Sequence, residues 1–308
     1  MHPIEVIPRM TTLAPIVLFV YNRPAHTRRT VEALQKNELA GESDLFVFSD
    51  APKTIEAAEA VREVREYVKT ISGFRSVSIV ERHKNWGLAN SIIDGVTRLC
   101  REYGRVIVLE DDLVVSIGFL RYMNEALVFY QNSLEVMHIS GCRYPVGIFG
   151  TDDTFFLQVP LCWGWATWQR AWITFEKDTA VMEHFDRSMI KRFNFDNTYS
   201  YWKQLELNRK GKINTWFVFW YANLFLQGGL SLFPSRSLVR NIGFDNSGTH
   251  CGESADYDVV LTKTPVSIRE IPLLESKVGF DRHKEYFKKI SPNFLKRVIR
   301  KLHSIFQL

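Results

Sequence analysis

Three consecutive carboxylates, Glu110, Asp111 and Asp112, follow the apolar run 106–109 in the segment RVIVLEDDLVV. Such a run is typical of a buried strand, so the carboxylates stand where that strand ends. Crowded carboxylates repel one another unless a cation lies among them. Mg²⁺ and Mn²⁺ prefer oxygen ligands, commonly one or two carboxylates together with substrate phosphates. The triplet therefore predicts a divalent-cation site for a phosphorylated substrate, with a solvated acidic turn or a helix cap as the alternatives.

Strand and helix patterns alternate through the first half of the chain. The strand patterns cover residues 14–21, 44–49, 76–80 and 105–109. Apolar residues at helical spacing follow in the segments 24–36, 54–71 and 88–103. Four β–α units in series predict an α/β fold with a mainly parallel sheet and helices on both of its faces.

Ligands of such sheets bind beyond the carboxyl ends of the strands. The four predicted ends carry the polar segments YNRP (21–24), SDAP (49–52), ERHKNWG (81–87) and LEDD (109–112). A nucleoside diphosphate needs groups that contact its base and ribose and a cation for its phosphates, and this edge offers such a set. The sequence has no GxxxxGK[ST] loop and no GxGxxG turn after the first strand, which excludes the P-loop and the common dinucleotide fingerprint.

The composition is that of a globular protein with one large domain or two intimate ones: 308 residues, 46% apolar and 24% charged. Residues 284–308 hold seven Lys/Arg and one Glu, a net of +6, so the rest of the +5 chain sums to −1. A nearly neutral body argues against nucleic-acid binding. The four cysteines are widely spaced and form no CxxC pair, which favours buried thiols.

No segment near the N-terminus has the length of a membrane span. The longest apolar run there has about eight residues, whereas a span needs about 20. A secretory signal, with its charged start and small-residue cleavage site, is not seen either. We therefore expect a cytoplasmic protein.

The runs PIVLFVYNRP, FVFSD, ERHKNWGLANS and VIVLEDDLVVSIGFLRYM resemble the N-acetylglucosaminyltransferase I family of glycosyltransferases, and the later segment GWATWQRAW fits as well. The resemblance covers about residues 14–125, is patchy over 140–250 and ends near residue 255. It implies a GT-A, Rossmann-like fold, a UDP-sugar donor, Mn²⁺ (or Mg²⁺) as cofactor and inversion at the anomeric carbon. Bacterial sugar transferases have the same general sequence features.

The resemblance also implies roles for individual residues at the strand ends. Asp112 matches the metal-binding carboxylate, and the other matched positions bind the donor: Asn22, Arg23, Asp50, His83, Glu110 and Asp111. Simpler roles remain open for three of them. Arg23 would otherwise pair with a surface acid, Asp50 would cap the turn before Pro52, and His83 would be an ordinary residue at a strand end.

The glycine-containing segment SLVRNIGFDNSGTHCG (237–252) is predicted to be a loop. The family has a flexible loop near this point that orders over the diphosphate, so Arg240, Ser247 and His250 are candidates to contact the donor. An ordinary surface loop is the alternative.

Inversion needs a base that takes the proton of the acceptor hydroxyl, usually Asp or Glu. The base of the family lies in an acidic pair flanked by tryptophan, but the counterpart here, TWFVFWY (215–221), has no carboxylate. Asp153, Asp196 and Asp245 are the candidates, and Asp245 is favoured because its loop lies where the donor would be covered. An inactive relative is also compatible with a missing base.

Four tryptophans, Trp163, Trp165, Trp168 and Trp172, cluster in CWGWATWQRAW (162–172). Indole rings stack on sugars, so the cluster suits a sugar site. The last three are spaced three and four apart, which predicts one face of a helix and makes core packing an equal explanation.

We divide the chain into a nucleotide-sugar-binding α/β half (13–115), an acceptor-binding half (116–283) that shares its site, and a tail (284–308). The tail predicts a basic amphipathic helix, whose apolar face includes Phe294, Val298, Leu302 and Ile305. Such a helix binds an anionic membrane surface or docks on protein.

The function predicted from the sequence is a metal-dependent, inverting glycosyltransferase, a hexosyl- or N-acetylhexosaminyltransferase. Its partners would be a UDP-sugar and a glycan or lipid-linked acceptor, in bacterial surface polysaccharide synthesis. It would lie in the cytoplasm, attached peripherally to the inner face of the membrane if the tail binds there. A sugar nucleotidyltransferase and an inactive carbohydrate-binding relative are the alternatives. A sugar nucleotidyltransferase normally has a glycine-rich basic loop after the first strand, whereas the corresponding segment here, VYNRPAH, has no glycine.

Overall fold

The computed structural model describes residues 12–147, 150, 152–245 and 256–290. Its strands are β1 (Ile16–Val20), β2 (Asp44–Ser49), β3 (Ser76–Glu81), β4 (Arg105–Glu110), β5 (Leu113–Val115), β6 (Val136–Ser140), β7 (Thr154–Leu157), β8 (Trp165–Trp168), β9 (Leu230–Pro234) and β10 (Val239–Asn241). Its α-helices are α1 (Pro24–Gln35), α2 (Ala58–Val68), α3 (Leu88–Tyr103), α4 (Phe119–Phe129), α5 (Gln169–Trp172), α6 (Arg187–Phe193), α7 (Tyr201–Arg209), α8 (Phe217–Leu226) and α9 (Lys277–Ile290). Short 3₁₀ helices cover Ala40–Glu42, Ile55–Ala57 and Thr179–His184.

Eight strands form one mixed sheet in the order β3-β2-β1-β4-β8-β6-β9-β7. The first four strands are parallel to one another. β8 runs antiparallel to both β4 and β6, whereas β9 is parallel to β6. The carboxyl ends of β1, β2, β3, β4, β6 and β9 therefore lie at one edge. The predicted α/β fold is confirmed, and strands from both halves of the chain join the same sheet.

The first strand shows why helices cover both faces of the sheet. Successive side chains of a strand point to opposite faces. Ile16 and Leu18 pack in one apolar cluster with Val31 of α1 and Val64 of α2. On the opposite face, Val17 and Phe19 pack with Ile92, Val96 and Leu99 of α3. Every residue of β1 is buried, which explains why the strand is the continuous apolar run IVLFV.

The tryptophan segment is a strand followed by a single helical turn, so the prediction of one helix face was wrong. Trp165 and Trp168 belong to β8 and are three positions apart. They therefore point to opposite faces of the sheet and join different apolar clusters. Trp172 ends α5. All three are buried, which confirms core packing for them. Pairing with β4 and β6 overrides the helical spacing.

A second, two-stranded sheet pairs β5 with β10, in antiparallel register from Val239 opposite Val115 to Asn241 opposite Leu113. The prediction that residues 237–252 lack regular structure was therefore wrong over β10, whereas residues 246–255 lie outside the described part. This pairing brings the segment after β10 back to the residues that follow β4.

The helix α9 packs its buried residues Phe280, His283, Tyr286 and Phe287 against the body. The boundary predicted at residue 284 falls inside this helix. Residues 291–308, which include the predicted apolar stripe of the tail, lie outside the described residues. Among the helices described here, none combines the length and apolar composition that crossing a bilayer requires.

Candidate active site

Arg23 joins the two aspartates that follow β4. Its Nη2 lies 2.5 Å from Asp111 Oδ1 and 2.9 Å from Asp112 Oδ2. The backbone N–H of Tyr21 donates to Asp111 Oδ2 at 3.3 Å, and Thr30 on α1 donates to the Asp111 carbonyl at 2.8 Å. Because β1 and β4 are hydrogen-bonded neighbours, the residues that follow β1 meet the residues that follow β4.

The cluster carries an excess of negative charge. The pKa of Glu110 is raised to about 8 by burial of its carboxyl group and by the charges of Asp112 and Asp111. Burial also raises the pKa of Asp111 to about 6, against the opposing effect of Arg23. Three carboxyl groups thus crowd around the guanidinium of Arg23, and a cation would relieve their repulsion.

The side chain of Asp112 fits a hard divalent cation such as Mn²⁺ or Mg²⁺. It lies at the carboxyl edge of the sheet, and 13% of it is exposed. Nowhere in the described part do three His, Cys, Asp or Glu side chains converge on one metal position. A cation held here would have Asp112 as its protein ligand and would complete its shell with substrate phosphate oxygens and water, as Mg²⁺ commonly does.

The segment after β10 packs directly on Asp112. The N–H of Ile242 donates to the Asp112 carbonyl at 2.8 Å, and the N–H of Gly243 donates to Asn241 Oδ1 at 2.7 Å. A Cβ atom on Gly243 would lie 2.2 Å from Asp112 Oδ2 and 3.0 Å from Arg23 Nη1. Only glycine therefore fits against this carboxylate.

We expect Gly243→Ala to weaken metal-dependent UDP binding about 10–100-fold, because the added methyl group must displace either the segment or Asp112. Titration calorimetry with UDP and Mn²⁺ would measure this effect. Gly118→Ala is the matched control, since a Cβ there meets nothing within 4 Å. Equal UDP affinity of the two variants would contradict the expectation.

Asp245 is the base candidate that lies in this segment, two residues after Gly243. His26, on α1, has its Nε2 3.0 Å from Asp245 Oδ2 and 3.3 Å from the carbonyl oxygen of Ile242. Since both neighbours are acceptors, we assign the hydrogen to Nε2 of His26. The carboxylate of Asp245 is thereby oriented by a buried histidine while about half of its side chain remains exposed.

The other two base candidates are engaged elsewhere. Asp153 forms an ion pair with Arg236 at 2.6 Å and accepts from the N–H of Ser267 at 3.1 Å. It precedes β7, which lies four strand spacings, or about 19 Å, from β4. Asp196 accepts from Lys284 of α9 at 3.0 Å. The structure does not bring either residue to the carboxylate triplet.

Asp50, at the end of β2, organises the neighbouring turn. Its carboxylate accepts from the backbone N–H groups of Ala51 at 2.9 Å, Trp86 at 2.9 Å and Gly87 at 2.8 Å. Asn85 adds a hydrogen bond to the Ala51 carbonyl at 2.7 Å. These bonds hold the segment before α3 against the end of β2. Contact of Asp50 with the donor stays a prediction.

The remaining donor candidates are less constrained. Asn22 is half-buried in the bend after β1, and His83 is exposed after β3. Arg240 forms an exposed ion pair with Asp258 at 2.7 Å. Ser247 and His250 lie outside the described residues, so their predicted contacts with the donor stay predictions.

Two residues with positional roles were missed from the sequence. His26 orients Asp245, as described above. Arg65, on α2, donates to the carbonyls of Arg82 at 2.8 Å and Asp50 at 3.3 Å, and so ties together the loops after β2 and β3. Neither residue belongs to a local motif, because their partners are distant in sequence. The one available signal in the sequence was the helical spacing of His26 with Thr30 and Leu34, which are also buried on α1.

Aromatic rings line the edge beside the carboxylates. Trp163, directly before β8, lies edge-on to Phe244 at 5.5 Å and to Tyr257 at 5.6 Å. Phe244 stacks on Tyr257 at 4.7 Å, and Tyr144 adds a further contact with Trp163 at 5.9 Å. Trp163, Phe244 and Tyr257 are partly exposed. Of the four clustered tryptophans, Trp163 is thus the one placed to contact a ligand.

A groove of about 1060 Å³ runs along α3, away from this edge. It begins at the turn held by Asp50, and in the described part of the chain it is lined by Lys84, Asn85, Trp86, Asn90, Ile93, Asp94, Thr97, Arg98, Arg101 and Glu102. No residue of the carboxylate triplet lines it. The chemistry-bearing groups therefore occupy an open edge rather than this groove.

An eight-stranded mixed sheet flanked by helices, with three acidic residues where its central strand β4 ends, is consistent with the GT-A fold of glycosyltransferases. Residues 16–199 match the family described as Glycosyl transferase family 2, and the chain belongs to that family. The match extends across the boundary predicted at residues 115 and 116. It supports a glycosyltransferase at the level of the family.

The solved structures that are similar to this chain include the following two. One is a mannosyltransferase, PcManGT from Pyrobaculum calidifontis in complex with GDP-Man and Mn²⁺, at 12% identity and a TM-score of 0.39, over 74% of this chain and 72% of that one. The other is TarS from S. aureus, at 13% identity and a TM-score of 0.30, over 46% of this chain and 24% of that one. No curated protein sequence matches the chain.

Proposed function

We propose that this glycosyltransferase is metal-dependent and inverting, and that it transfers a hexosyl or N-acetylhexosaminyl group from a UDP-sugar to a glycan or lipid-linked acceptor. The observation that carries the proposal is the cluster in which Asp111 and Asp112 share Arg23 at the end of β4. The preference for UDP and the closer relation to N-acetylglucosaminyltransferase I rest on the motifs PIVLFVYNRP and ERHKNWGLANS. A role in bacterial surface polysaccharide synthesis is part of the same proposal.

Each residue of the cluster would have a separate role in binding the donor. When bound, Mn²⁺ or Mg²⁺ would neutralise the diphosphate and make UDP a better leaving group. Asp112 would hold that cation. Arg23 keeps both aspartates in place and is within reach of an incoming phosphate. Gly243 lets the segment after β10 pack directly on Asp112, since a Cβ there would lie 2.2 Å from Asp112 Oδ2.

In this proposal Asp245 is the base that removes the proton of the acceptor hydroxyl. The N–H of His26 holds one oxygen of its carboxylate at 3.0 Å. An inverting transfer needs such a base near the acceptor hydroxyl, and a carboxylate held in one orientation would suit that role. The aromatic rings of Trp163, Phe244 and Tyr257 would pack against the acceptor sugar.

Incubation with a panel of UDP-sugars and Mn²⁺ tests this proposal. We expect slow hydrolysis of one donor, loss of that hydrolysis in EDTA, and faster turnover when an acceptor is added. Release of pyrophosphate from UTP and a sugar phosphate would instead identify a sugar nucleotidyltransferase. Binding of sugars without turnover of any donor would identify an inactive carbohydrate-binding relative.

The basic tail is proposed to attach the enzyme to anionic membrane, because residues after Ile290 keep both Lys/Arg and apolar side chains at helical spacing. We expect the full chain to sediment with anionic vesicles at low salt and to be released at high salt. A truncation should end at Ile290, since ending at residue 286 would remove the buried Phe287. Equal sedimentation of both proteins would reject membrane attachment and favour docking on protein.

A further inference from the structure

Arg143 is a buried arginine for which the described residues provide no counter-charge. Only 7% of the residue is exposed, and within the described residues its Nη1 is buried with no hydrogen-bond partner. No carboxylate of the described part forms an ion pair with it. Burial lowers the pKa of its guanidinium, which shows that the charged form is poorly solvated there.

Other arginines of this chain are compensated when they are partly buried. Arg192 pairs with Glu275, and Arg236 pairs with Asp153. Arg170 donates to the backbone carbonyls of Gln131, Leu134, Tyr130 and Val136. The isolation of Arg143 is therefore unusual within this molecule, and an uncompensated buried charge is expected to lower stability.

The backbone around Arg143 is held firmly. Gly141, directly after β6, donates to the carbonyl of Gly164 at 2.7 Å and accepts from the N–H of Leu238 at 2.9 Å. The N–H of Arg143 itself lies 3.4 Å from Ser237 Oγ. The guanidinium is thus presented by a segment that is anchored to both neighbouring loops.

The segment that contains Arg143 follows β6 at the edge of the sheet where the carboxylate triplet lies. β6 is two strand spacings from β4, or about 10 Å, and its carboxyl end lies at the same edge of the sheet. Tyr144, the next residue, contacts Trp163, one of the aromatic rings beside the carboxylates. Two neighbouring ionisable groups, His283 and Cys142, are buried and neutral. Burial lowers the pKa of His283 to about 4, and the charge of Arg143 lowers it further, whereas burial raises the pKa of the Cys142 thiol.

We infer that Arg143 binds an anionic group of the acceptor, an inference that rests on the proposed function. A phosphate and a sugar carboxylate offer the same chemistry, two oxygens that accept from one face of a guanidinium. The acceptor would thus be a phosphorylated or acidic saccharide rather than a neutral one. The lost solvation of Arg143 is recovered when this group is bound.

The test measures anion binding without turnover. Phenyl phosphate and glucuronate are titrated into the full-length protein at low salt and in EDTA, where the carboxylate triplet repels anions from the donor site. We expect one probe to bind, with Arg143→Met weakening it at least about tenfold and Arg143→Lys weakening it less. Arg98→Met, which removes an exposed arginine on α3, should leave the affinity unchanged. The probe that binds identifies the anion as phosphate or carboxylate.

A second measurement separates this role from a structural one. Without ligand, Arg143→Met should unfold at the same temperature as the native protein or a higher one, because it removes an unpaired buried charge. UDP binding with Mn²⁺ should also be unchanged. A clear fall in the unfolding temperature, or equal binding of both probes by Arg143→Met and native protein, would overturn the inference. Failure of all transfer assays with anion binding retained would count against the proposed function alone.

Discussion

Asp112→Asn is expected to reduce sugar transfer by at least about 10²–10³-fold and to abolish the dependence of UDP binding on Mn²⁺. The substitution keeps the shape of the side chain but removes the negative charge that would hold the cation. It leaves Asp111 and Glu110 in place, and Arg23 keeps its bond to Asp111. The fold should therefore survive, with an unfolding temperature equal to that of the native protein or higher, since one repelling charge is gone.

Asp44→Asn is the matched control for this substitution. Asp44 opens β2 at the opposite edge of the sheet, where it also pairs with an arginine, Arg75. Its loss should leave transfer and UDP binding unchanged. Calorimetry of UDP with and without Mn²⁺, together with initial rates of donor turnover, gives both readouts. Native rates from Asp112→Asn, or from the native protein in EDTA, would refute the assignment of the metal ligand.

Asp245→Asn should slow transfer about 10²–10⁴-fold while leaving UDP-sugar binding close to native, because only the proton acceptor is lost. The amide still accepts a hydrogen bond from His26, so the segment after β10 should keep its position. The measurement is the single-turnover rate of transfer at saturating donor, with the donor affinity determined separately.

Asp153→Asn and Asp196→Asn serve as comparisons, since both residues have partners away from the triplet. We expect them to lower stability modestly through lost ion pairs and to transfer at near-native rates. His26→Gln should have an intermediate effect, as it loosens the orientation of Asp245 without removing the carboxylate. If Asp153→Asn or Asp196→Asn were slow while Asp245→Asn kept the native rate, the slow variant would identify the base and the assignment of Asp245 would be wrong.

The parallel half of the fold could be predicted from the sequence because its signals are local. The runs IVLFV and DLFVFS are buried on both faces and match β1 and β2 closely. Since consecutive parallel strands end at one edge, the polar residues after each run were expected to meet. Arg23, Asp111 and Asp112 do so in the structure.

The tryptophan segment shows where local patterns were insufficient. Spacings of three and four between Trp165, Trp168 and Trp172 satisfy a helix as well as a strand followed by a turn. Pairing of Trp165 with Val108 on β4 and with Ser140 on β6 decides in favour of the strand. The partners lie far away along the chain, so the periodicity of the segment contains no information about them.

The choice among the base candidates also depended on tertiary contacts. The sequence showed three aspartates of equal chemistry, and their different environments come from residues distant in sequence: Arg236 and Ser267 at Asp153, Lys284 at Asp196 and His26 at Asp245. The same holds for Arg143, whose isolation is visible only once its surroundings are known. The sequence by itself determined which chemical groups stand at the strand ends. The tertiary structure decided which of them are paired and which remain exposed at that edge, because ion pairing and burial depend on distances through space and not on separation along the chain.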